Sequence, residues 1–258
     1  MRQQSMRPAV GFTLVEIAIV LVIIGLILGG VLKGQELVTS ARVRNIADQQ
    51  NAIKAAFFAF QDRYNALPGD YAQASSNIPG LSATTAVNGD GDGFVAFDAT
   101  SNAAATTGAE SNERVWAFLH LTAAGFISCS QCISGGNSAS PGAPSQSNSP
   151  LNAYAGVISL GYDDVFGYAG TRPNPSNNLK TGNKIPSNIL GEVDNKLDDG
   201  NPYTGNFQFS TYYAAGAAPV AGDNATGCAS VVAGGAAPAG SVWNRQTPAS
   251  NCGAAYTF

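Results

Sequence analysis

Hydrophobic and polar positions are distributed unevenly along the chain. Residues 12–32 form a 21-residue apolar run in which Glu16 is the only charged residue. As an α-helix, this run would be about 31 Å long at ~1.5 Å per residue, which is enough to span the hydrocarbon core of a bilayer. Because no proline occurs between Gly11 and Pro68, the helix can continue beyond the run. The pattern predicts one long helix that begins as a membrane-spanning segment.

The second half of this helix is predicted to be amphipathic. Apolar residues recur at helical spacings of 7, 4, 3 and 4, while charged and polar residues occupy the other faces. The sequence LPGD at residues 67–70 is a stop signal, which predicts that the helix ends near Asn65. We expect residues 33–65 to pack through this apolar stripe onto a globular head formed by residues 66–258. The stripe consists of Ile46, Ile53, Phe57, Phe60 and Tyr64.

The head is predicted to be rich in loops. Residues 75–108 are dominated by Ser, Ala, Thr, Asn and Gly. Residues 134–150 are too polar to order themselves and are predicted to be a flexible tract. Periodicity predicts helices at Glu110–Gly125 and Ser187–Asp198, and strands at Ala155–Tyr162, Asn206–Ala214 and Ala254–Phe258.

Composition favours a structural protein over an enzyme or a nucleic-acid-binding protein. Only 12% of the residues are charged, and the formal net charge of −4 disfavours a surface built to bind nucleic-acid phosphates. The chain has four cysteines and one histidine, so residues suited to acid–base catalysis are few. No serine, cysteine or threonine lies in a constellation that indicates a nucleophile. We therefore predict no catalytic residues.

Glu16 requires an explanation. The residues before the apolar run include Arg2 and Arg7 and no acid, which is typical of the basic region of an export signal. A standard signal peptide does not fit, because the run contains a carboxylate and no small-residue cleavage site closes it. An ionised carboxylate inside a membrane helix costs roughly 2.5–3.5 kcal/mol, so such a residue is usually paired or functional. The alternative is that Glu16 lies at the level of the lipid headgroups.

The sequence GFTLVE at residues 11–16 resembles the processing site of type IV prepilins and type II secretion pseudopilins. The resemblance implies that a prepilin peptidase cleaves after Gly11 and N-methylates Phe12, leaving 247 of the 258 residues. It also implies that Glu16 acts in assembly, with its carboxylate paired to the Phe12 ammonium group of a neighbouring subunit. Such a pair would satisfy two buried charges together.

The resemblance also implies a pilin-like α+β fold. One long N-terminal helix would pack on a loop-rich head that contains a small antiparallel sheet. Residues 1–11 would be the cleaved leader, residues 12–32 the membrane-spanning and filament-core helix, and residues 33–65 its amphipathic continuation. The proline that many pilins carry eight residues after the position of Gly25 is Lys33 in this chain.

Small residues recur one helical turn apart in the apolar run, as Gly25-x-x-x-Gly29 and Gly30-x-x-x-Gly34. Glycines at this spacing let two helices approach closely in lipid or in a filament core. We therefore expect these four glycines to be helix-packing positions. The alternative is an ordinary membrane helix that tolerates glycine.

The resemblance implies location and partners. The precursor would cross the bacterial inner membrane once with its head in the periplasm, and would then enter an extracellular pilus or a periplasmic pseudopilus. Its partners would be the prepilin peptidase and the inner-membrane assembly platform. In a helical filament, it would also contact other copies of itself and pilin-like subunits. Direct nucleic-acid binding is not expected. Two alternatives are a membrane-anchored, calcium-dependent binding protein or adhesin that does not polymerise, and an anchored hydrolase.

No cofactor is required by this interpretation, but two acidic segments are candidate calcium sites. The sequence NGDGDG at residues 88–93 reproduces ligand positions 1, 3 and 5 and the turn glycine of an EF-hand-type loop. The closing position is Ala99, so an acid elsewhere in the head would have to complete the site; a bare turn is the alternative. The candidate ligands are Asn88, Asp90, Asp92, the carbonyl of Phe94, and Asp98.

The second acidic segment contains Asp194, Asp198 and Asp199, followed by Gly200. Asp194 and Asp198 lie one helical turn apart, so both carboxylates can face the same cation. An exposed helix end explains the same residues without a ligand. The sequence leaves both possibilities open.

The cysteines indicate an oxidising compartment, because all four of them, an even number, lie beyond the apolar run. Three pairings are possible, and we favour the sequence-local pairs Cys129–Cys132 and Cys228–Cys252; the resemblance supports the second, since pilin heads commonly close a C-terminal loop with a disulfide. A thioredoxin-like redox pair is disfavoured, because Cys132 is followed by a segment rich in Gly and Ser. A zinc site is disfavoured, because the sequence has no second pair of closely spaced cysteines. His120, the only histidine, is predicted to be a partly buried structural residue.

Overall fold

The computed structural model describes residues 13–81, 87–95, 109–138, 141, 143–168, 174–214, 219, 227–230 and 240–258. The chain divides into two compact units, Met1–Ala41 and Arg42–Phe258. We call the second of these the head unit. Each unit is described separately below.

The first helix, α1, comprises Leu14–Tyr64 and is 51 residues long. It ends before Asn65, whose φ of 51° lies in the left-handed region, so the predicted end near this residue is confirmed. Among the described residues, α1 is the helix that is long and apolar enough to cross a membrane, as a membrane anchor or a signal sequence would be. The predicted long apolar helix is therefore present.

Four shorter helices follow among the described residues of the head unit. The predicted helix at Glu110–Gly125 is present as α3, which begins one residue earlier and ends two residues earlier than predicted. The predicted helix at Ser187–Asp198 is present as α5, which begins at the predicted residue and ends one residue earlier. Helices α2 and α4 were not predicted from the sequence. The bounds are α2 Ala74–Asn77, α3 Ala109–Ala123, α4 Ser130–Gly136 and α5 Ser187–Leu197.

A four-stranded antiparallel sheet with the order β1-β2-β6-β3 lies in the head unit, together with a two-stranded ladder of β4 and β5. The layout is therefore α+β with a small antiparallel sheet, as predicted. Strands β1, β3 and β6 fall within or near the three predicted strands, whereas β2 was not predicted. The bounds are β1 Ser159–Asp163, β2 Ser176–Lys180, β3 Phe207–Phe209, β4 Ala229–Ser230, β5 Val242–Trp243 and β6 Ala254–Thr257.

The apolar stripe of α1 packs into the core of the head unit. Phe57 and Phe60 lie with α3 in one hydrophobic cluster, and Ile46 lies with α5, β3 and β5 in a second cluster. Ile46, Ile53, Phe57 and Phe60 are buried, and Tyr64 is partly buried. The five predicted stripe residues therefore pack into the core of the head unit, whereas residues 33–41 of the predicted amphipathic segment 33–65 belong to the first unit. The sequence pattern did not single out Val43 and Gln50, which are buried on the same helix.

A buried charge network joins α3 to β1 and β2. Asp163 accepts hydrogen bonds from Arg114 Nη2 at 3.0 Å and from Lys180 Nζ at 2.7 Å. Burial by itself would raise the pKa of Asp163, but the charges of Lys180 and Arg114 outweigh it and hold this pKa well below its usual range. Lys180 also donates to the carbonyl oxygen of Val165. The network explains why β2 can carry polar residues in the core.

The described residues of the tract 134–150, which was predicted to be flexible, include buried side chains and specific contacts. Helix α4 extends to Gly136, and Asn148 and Ser149 are buried. The Asn148 amide donates to the carbonyl oxygens of Pro141 and Ala143, and its Oδ1 accepts from the Ser145 amide. Polar composition indicated a linker, but side-chain hydrogen bonds to the backbone order these residues.

Candidate functional site

The N-terminus of α1 is capped by a reciprocal pair of side chains. The backbone amide and the hydroxyl of Thr13 both donate to Oε2 of Glu16 at 2.8 Å, and the Glu16 amide donates to the Thr13 hydroxyl at 3.3 Å. This arrangement is a capping box, in which a Thr at the N-cap and a Glu three residues later satisfy each other's amides. The capping signal T-x-x-E is present in the sequence at Thr13 and Glu16, but it was not among the predictions made for Glu16.

The apolar segment, residues 14–32, is solvent-exposed within its own unit. Leu14 is 90% exposed and Leu26 is 72% exposed, and every large hydrophobic residue of the segment has about half or more of its surface free. A Cβ atom added at Gly25, Gly29 or Gly30 would meet no atom beyond the local helix within 4 Å among the described residues, and the same holds at Gly34. The fold of the described chain therefore does not require glycine at these positions.

The processing residues of the predicted cleavage site, Gly11 and Phe12, lie outside the described residues. The pairing of Glu16 with an ammonium group on Phe12 therefore stays a prediction. Glu16 itself is exposed, and its Oε1 accepts none of the hydrogen bonds described above.

The side chains of the predicted calcium loop accept hydrogen bonds from backbone amides. Asn88 Oδ1 accepts from the Ser75 amide, and the carboxylates of Asp90 and Asp92 accept from the amides of Asp92 and Phe94 respectively. The two aspartate contacts are those of successive Asx turns, whereas the Asn88 contact joins the loop to α2. The fifth candidate ligand, Asp98, lies outside the described residues.

The structure instead brings Asp90 together with two acids that are distant in sequence. One carboxylate oxygen each from Asp70, Asp90 and Glu113 lie within 4.8 Å of one another. The two oxygens of Asp70 accept from the amides of Gly91 at 2.7 Å and Gly93 at 3.0 Å, so this residue organises the loop. Burial raises the pKa of Asp70, and these two hydrogen bonds offset part of that effect. Sequence spacing could not have identified Asp70 and Glu113 as neighbours of this loop.

The second acidic segment is assembled as predicted from its spacing. Asp194 lies in the last turn of α5, Asp198 is its C-cap, and Asp199 follows. One carboxylate oxygen of each lies within 4.8 Å of the other two. Asp194 is buried, Asp198 is partly buried and Asp199 is exposed. We call these three residues the α5 acidic cluster.

Both sequence-local disulfides are present, Cys129–Cys132 and Cys228–Cys252. They leave no free cysteine in the described residues, and a zinc site on these four sulfurs is therefore excluded in this state. One argument from the sequence was wrong, because Cys129 is the N-cap of α4 and the CxxC does open a helix. That helix has seven residues and follows a turn after α3, so the strand that a thioredoxin-like pair requires does not precede it.

His120 is a structural residue and is fully buried, more so than predicted. Its Nδ1 accepts from the Gly69 amide at 3.0 Å, so the proton of the neutral ring lies on Nε2, which donates to the Val87 carbonyl oxygen at 2.8 Å. Burial lowers the pKa of His120 to about 4, and the hydrogen bond to Val87 offsets only part of this shift. The imidazole therefore ties α3 to the segments around residues 69 and 87.

Acidification is expected to destabilise the head unit through His120. The unfolded chain takes up a proton near pH 6.5 but the folded chain does so only near pH 4, so the contribution of His120 to stability falls as the pH falls between these values. Asp194 acts in the opposite direction, because burial raises its pKa to about 7. The measurement is the free energy of unfolding against pH for the wild type and His120→Gln.

Because the contribution of Asp194 is common to both proteins, the difference between the two curves isolates the imidazole. The wild type should lose stability relative to His120→Gln as the pH falls from 6.5 to 4. Parallel curves across this range would show that His120 is not held in its neutral form.

Comparison of the chain with protein-family models, with curated proteins and with solved structures finds no match.

Proposed function

We propose that this protein is a structural subunit of a type IV pilus or a type II secretion pseudopilus. The observation that carries the proposal is the apolar segment, which has one acid at its start and apolar side chains exposed around its full circumference. A soluble monomer rarely exposes an apolar surface of this extent, because its hydration is unfavourable. Lipid would cover the segment before assembly, and the helices of neighbouring subunits would cover it in a filament.

The four glycines of the segment support contact with other helices. Glycine in a helix interior costs roughly 1 kcal/mol relative to alanine, and here no close contact within the described chain offsets that cost. Close approach by a helix of another subunit supplies a reason for the small side chains. In this proposal Gly25, Gly29, Gly30 and Gly34 lie at subunit contacts.

The charge of Glu16 supports the same interpretation, although its capping role supplies a second explanation. A capping box accepts either Glu or Gln at this position, so the cap alone does not require an ionised group. Pairing with the ammonium group of a neighbouring Phe12 does require one. Processing after Gly11 by a prepilin peptidase, which would create that ammonium group, is part of the proposal.

A second candidate is a membrane-anchored, calcium-dependent binding protein that does not polymerise. The observation in its favour is the presence of two groups of three carboxylates in the head unit. It needs neither cleavage at Gly11 nor the charge of Glu16, and the two proposals are therefore separable by experiment.

Gly29→Leu tests the proposed packing. We expect this variant to be inserted in the membrane at wild-type levels and to be lost from sheared surface or pseudopilus fractions, because a leucine side chain holds neighbouring helices apart. Both fractions are measured by quantitative immunoblotting.

The matched control is Leu28→Ile, which changes the adjacent position without blocking close approach of another helix. It should remain in the sheared fraction. If Gly29→Leu also remained there in wild-type amounts, the glycine face would not lie at a subunit contact.

A further inference from the structure

A cavity in the head unit lies beside the end of α1. Its volume is about 560 Å³, which is within the ~300–1,000 Å³ typical of pockets for small molecules. The last turn of α1, the segment that follows it, the loop at Gly91 and Gly93, and β2 contribute to its walls. We call this cavity the α1 groove. Its polar side chains are those of Gln61, Asn65, Asp70, Tyr71, Gln73 and Asn177.

The lining of the α1 groove is polar but carries little charge. Four of its six polar side chains are carboxamides, and Asp70 is the only acid among the described residues that line it. Those residues include no lysine, arginine or histidine. A carboxamide both donates and accepts hydrogen bonds. The lining therefore suits a ligand with neutral hydroxyl groups, and it offers no cation to a phosphate, a sulfate or a carboxylate.

The carboxylate of Asp70 is already engaged by the protein. Its two oxygens accept from the backbone amides of Gly91 at 2.7 Å and Gly93 at 3.0 Å, and its side chain is buried. Hydrogen bonds to the backbone therefore stabilise this carboxylate and hold the glycine loop in the wall of the groove. Ligand recognition by the carboxamides does not require a metal ion.

The carboxamides of the α1 groove have hydrogen-bonding capacity to spare. Gln61 and Asn65 are exposed, and their side chains make no hydrogen bond with the described part of the chain. The Oδ1 atom of Asn177 is buried and also lacks a partner there. Leaving a buried acceptor unsatisfied costs about 1–3 kcal/mol. A ligand hydroxyl that donates to this amide would remove that cost.

Tyr71 supplies an aromatic ring that is held in place before any ligand arrives. Its hydroxyl accepts from Asn77 Nδ2 at 2.5 Å, and the same amide group donates to Gln73 Oε1 at 3.3 Å. The ring of Tyr71 lies beside that of Tyr64, with the two centroids 5.7 Å apart. Such pre-organisation lowers the entropic cost of binding. An aromatic ring beside carboxamides suits a sugar, which has both an apolar C–H face and hydroxyl groups.

The sheet does not offer a strand edge to a peptide at this site. Asn177 lies on β2, which pairs with β1 on one side and with β6 on the other. The carbonyl oxygen of Asn177 accepts from the Phe258 amide at 3.0 Å. A peptide that binds by adding a strand needs a free edge. The groove therefore favours a sugar over an extended peptide.

We infer that the α1 groove binds a neutral carbohydrate, through Tyr71 and the carboxamides of Gln61, Asn65 and Asn177. The amides exchange hydrogen bonds with sugar hydroxyl groups, and the C–H face of one ring packs on Tyr71. Gln61 and Asn65 also line a second cavity of about 460 Å³, so the binding surface extends beyond a single sugar. The inference requires neither filament assembly nor the calcium of the second candidate function.

Saturation-transfer difference NMR on the full chain in zwitterionic detergent micelles tests the groove. The probes are cellobiose, lactose and N,N′-diacetylchitobiose, and the detergent is free of sugar because an alkyl glycoside would compete. We expect binding of at least one disaccharide, unchanged by EDTA. Asn65→Gly and Gln61→Ala should each weaken it about fivefold, since each removes a hydrogen-bonding side chain. Glycine readily adopts the φ of 51° at position 65, so the fold is retained.

The matched control is Asn51→Ala, which removes an exposed carboxamide of α1 that does not line the groove. It should leave the affinity unchanged, and the Tm of each variant checks that the head unit is folded. Binding of none of the three disaccharides, or equal affinity in the wild type, Asn65→Gly and Gln61→Ala, would overturn the inference. Loss of binding in EDTA would do so too, as would tighter binding of N-acetylneuraminic acid or of a neutral peptide rich in serine and glycine.

Discussion

Replacing Glu16 with glutamine is expected to leave membrane insertion and cleavage after Gly11 intact and to abolish assembly into filaments. Glutamine can accept the same hydrogen bonds from Thr13, so the helix cap is retained. The substitution removes the charge that would pair with the ammonium group of a neighbouring Phe12. We expect at least a tenfold loss of the protein from sheared fractions, measured by immunoblotting against the membrane fraction.

Thr13→Ala is the matched control, because it removes the other half of the capping box while retaining the charge. It should reduce assembly much less than Glu16→Gln does, since losing a cap costs only about 1 kcal/mol. The opposite ranking, with Thr13→Ala the more severe change, would mean that Glu16 is present for its capping role alone.

The second large effect is expected at Asp163. Asp163→Ala removes the carboxylate that accepts hydrogen bonds from both Arg114 and Lys180, which are two buried cations. Removing one partner of a buried ion pair typically costs 3–5 kcal/mol, and we expect about 4 kcal/mol here. Chemical denaturation followed by tryptophan fluorescence measures the change in the free energy of unfolding.

The control for this substitution is Asp62→Ala at an exposed position of α1, which should change the free energy of unfolding by less than about 0.5 kcal/mol. A loss below about 1 kcal/mol in Asp163→Ala would contradict the account of the network, since the cations would then find other partners or water.

The sequence predicted those elements whose residues follow a local rule. The long apolar run, the stripe from Ile46 to Tyr64 and the stop near Asn65 depend on helical periodicity and turn chemistry, and each is present. Helices α3 and α5 were found for the same reason. The two sequence-local disulfides also follow from spacing.

Elements that depend on distant contacts were missed. Strand β2 reads SNNLK, whose polar residues give no strand signal, yet Asn178 and Lys180 are buried because Asp163 on β1 accepts hydrogen bonds from both. The tract 134–150 was predicted to be flexible because its composition is polar, whereas the side-chain amide of Asn148 donates to the carbonyl oxygens of Pro141 and Ala143. Local patterns carry no information about such partners.

The candidate sites also combine features that the local sequence predicts with features that depend on distant contacts. The α5 acidic cluster was visible from helical spacing, but the contact of Asp194 with Trp243 depends on the folded chain. The loop at residues 88–93 matched a calcium motif, although its carboxylates cap their own turns and its neighbours are Asp70 and Glu113. A ligand motif and a turn motif use the same residues, so contacts are needed to tell them apart.

The most direct test of the central claim is the intact mass and N-terminal sequence of the protein recovered from membrane and sheared-surface fractions. The proposal predicts a chain that begins at N-methylated Phe12 and is present in the sheared filaments. An uncut chain that begins upstream of Gly11 and is absent from filaments would contradict it and would favour the membrane-anchored binding protein.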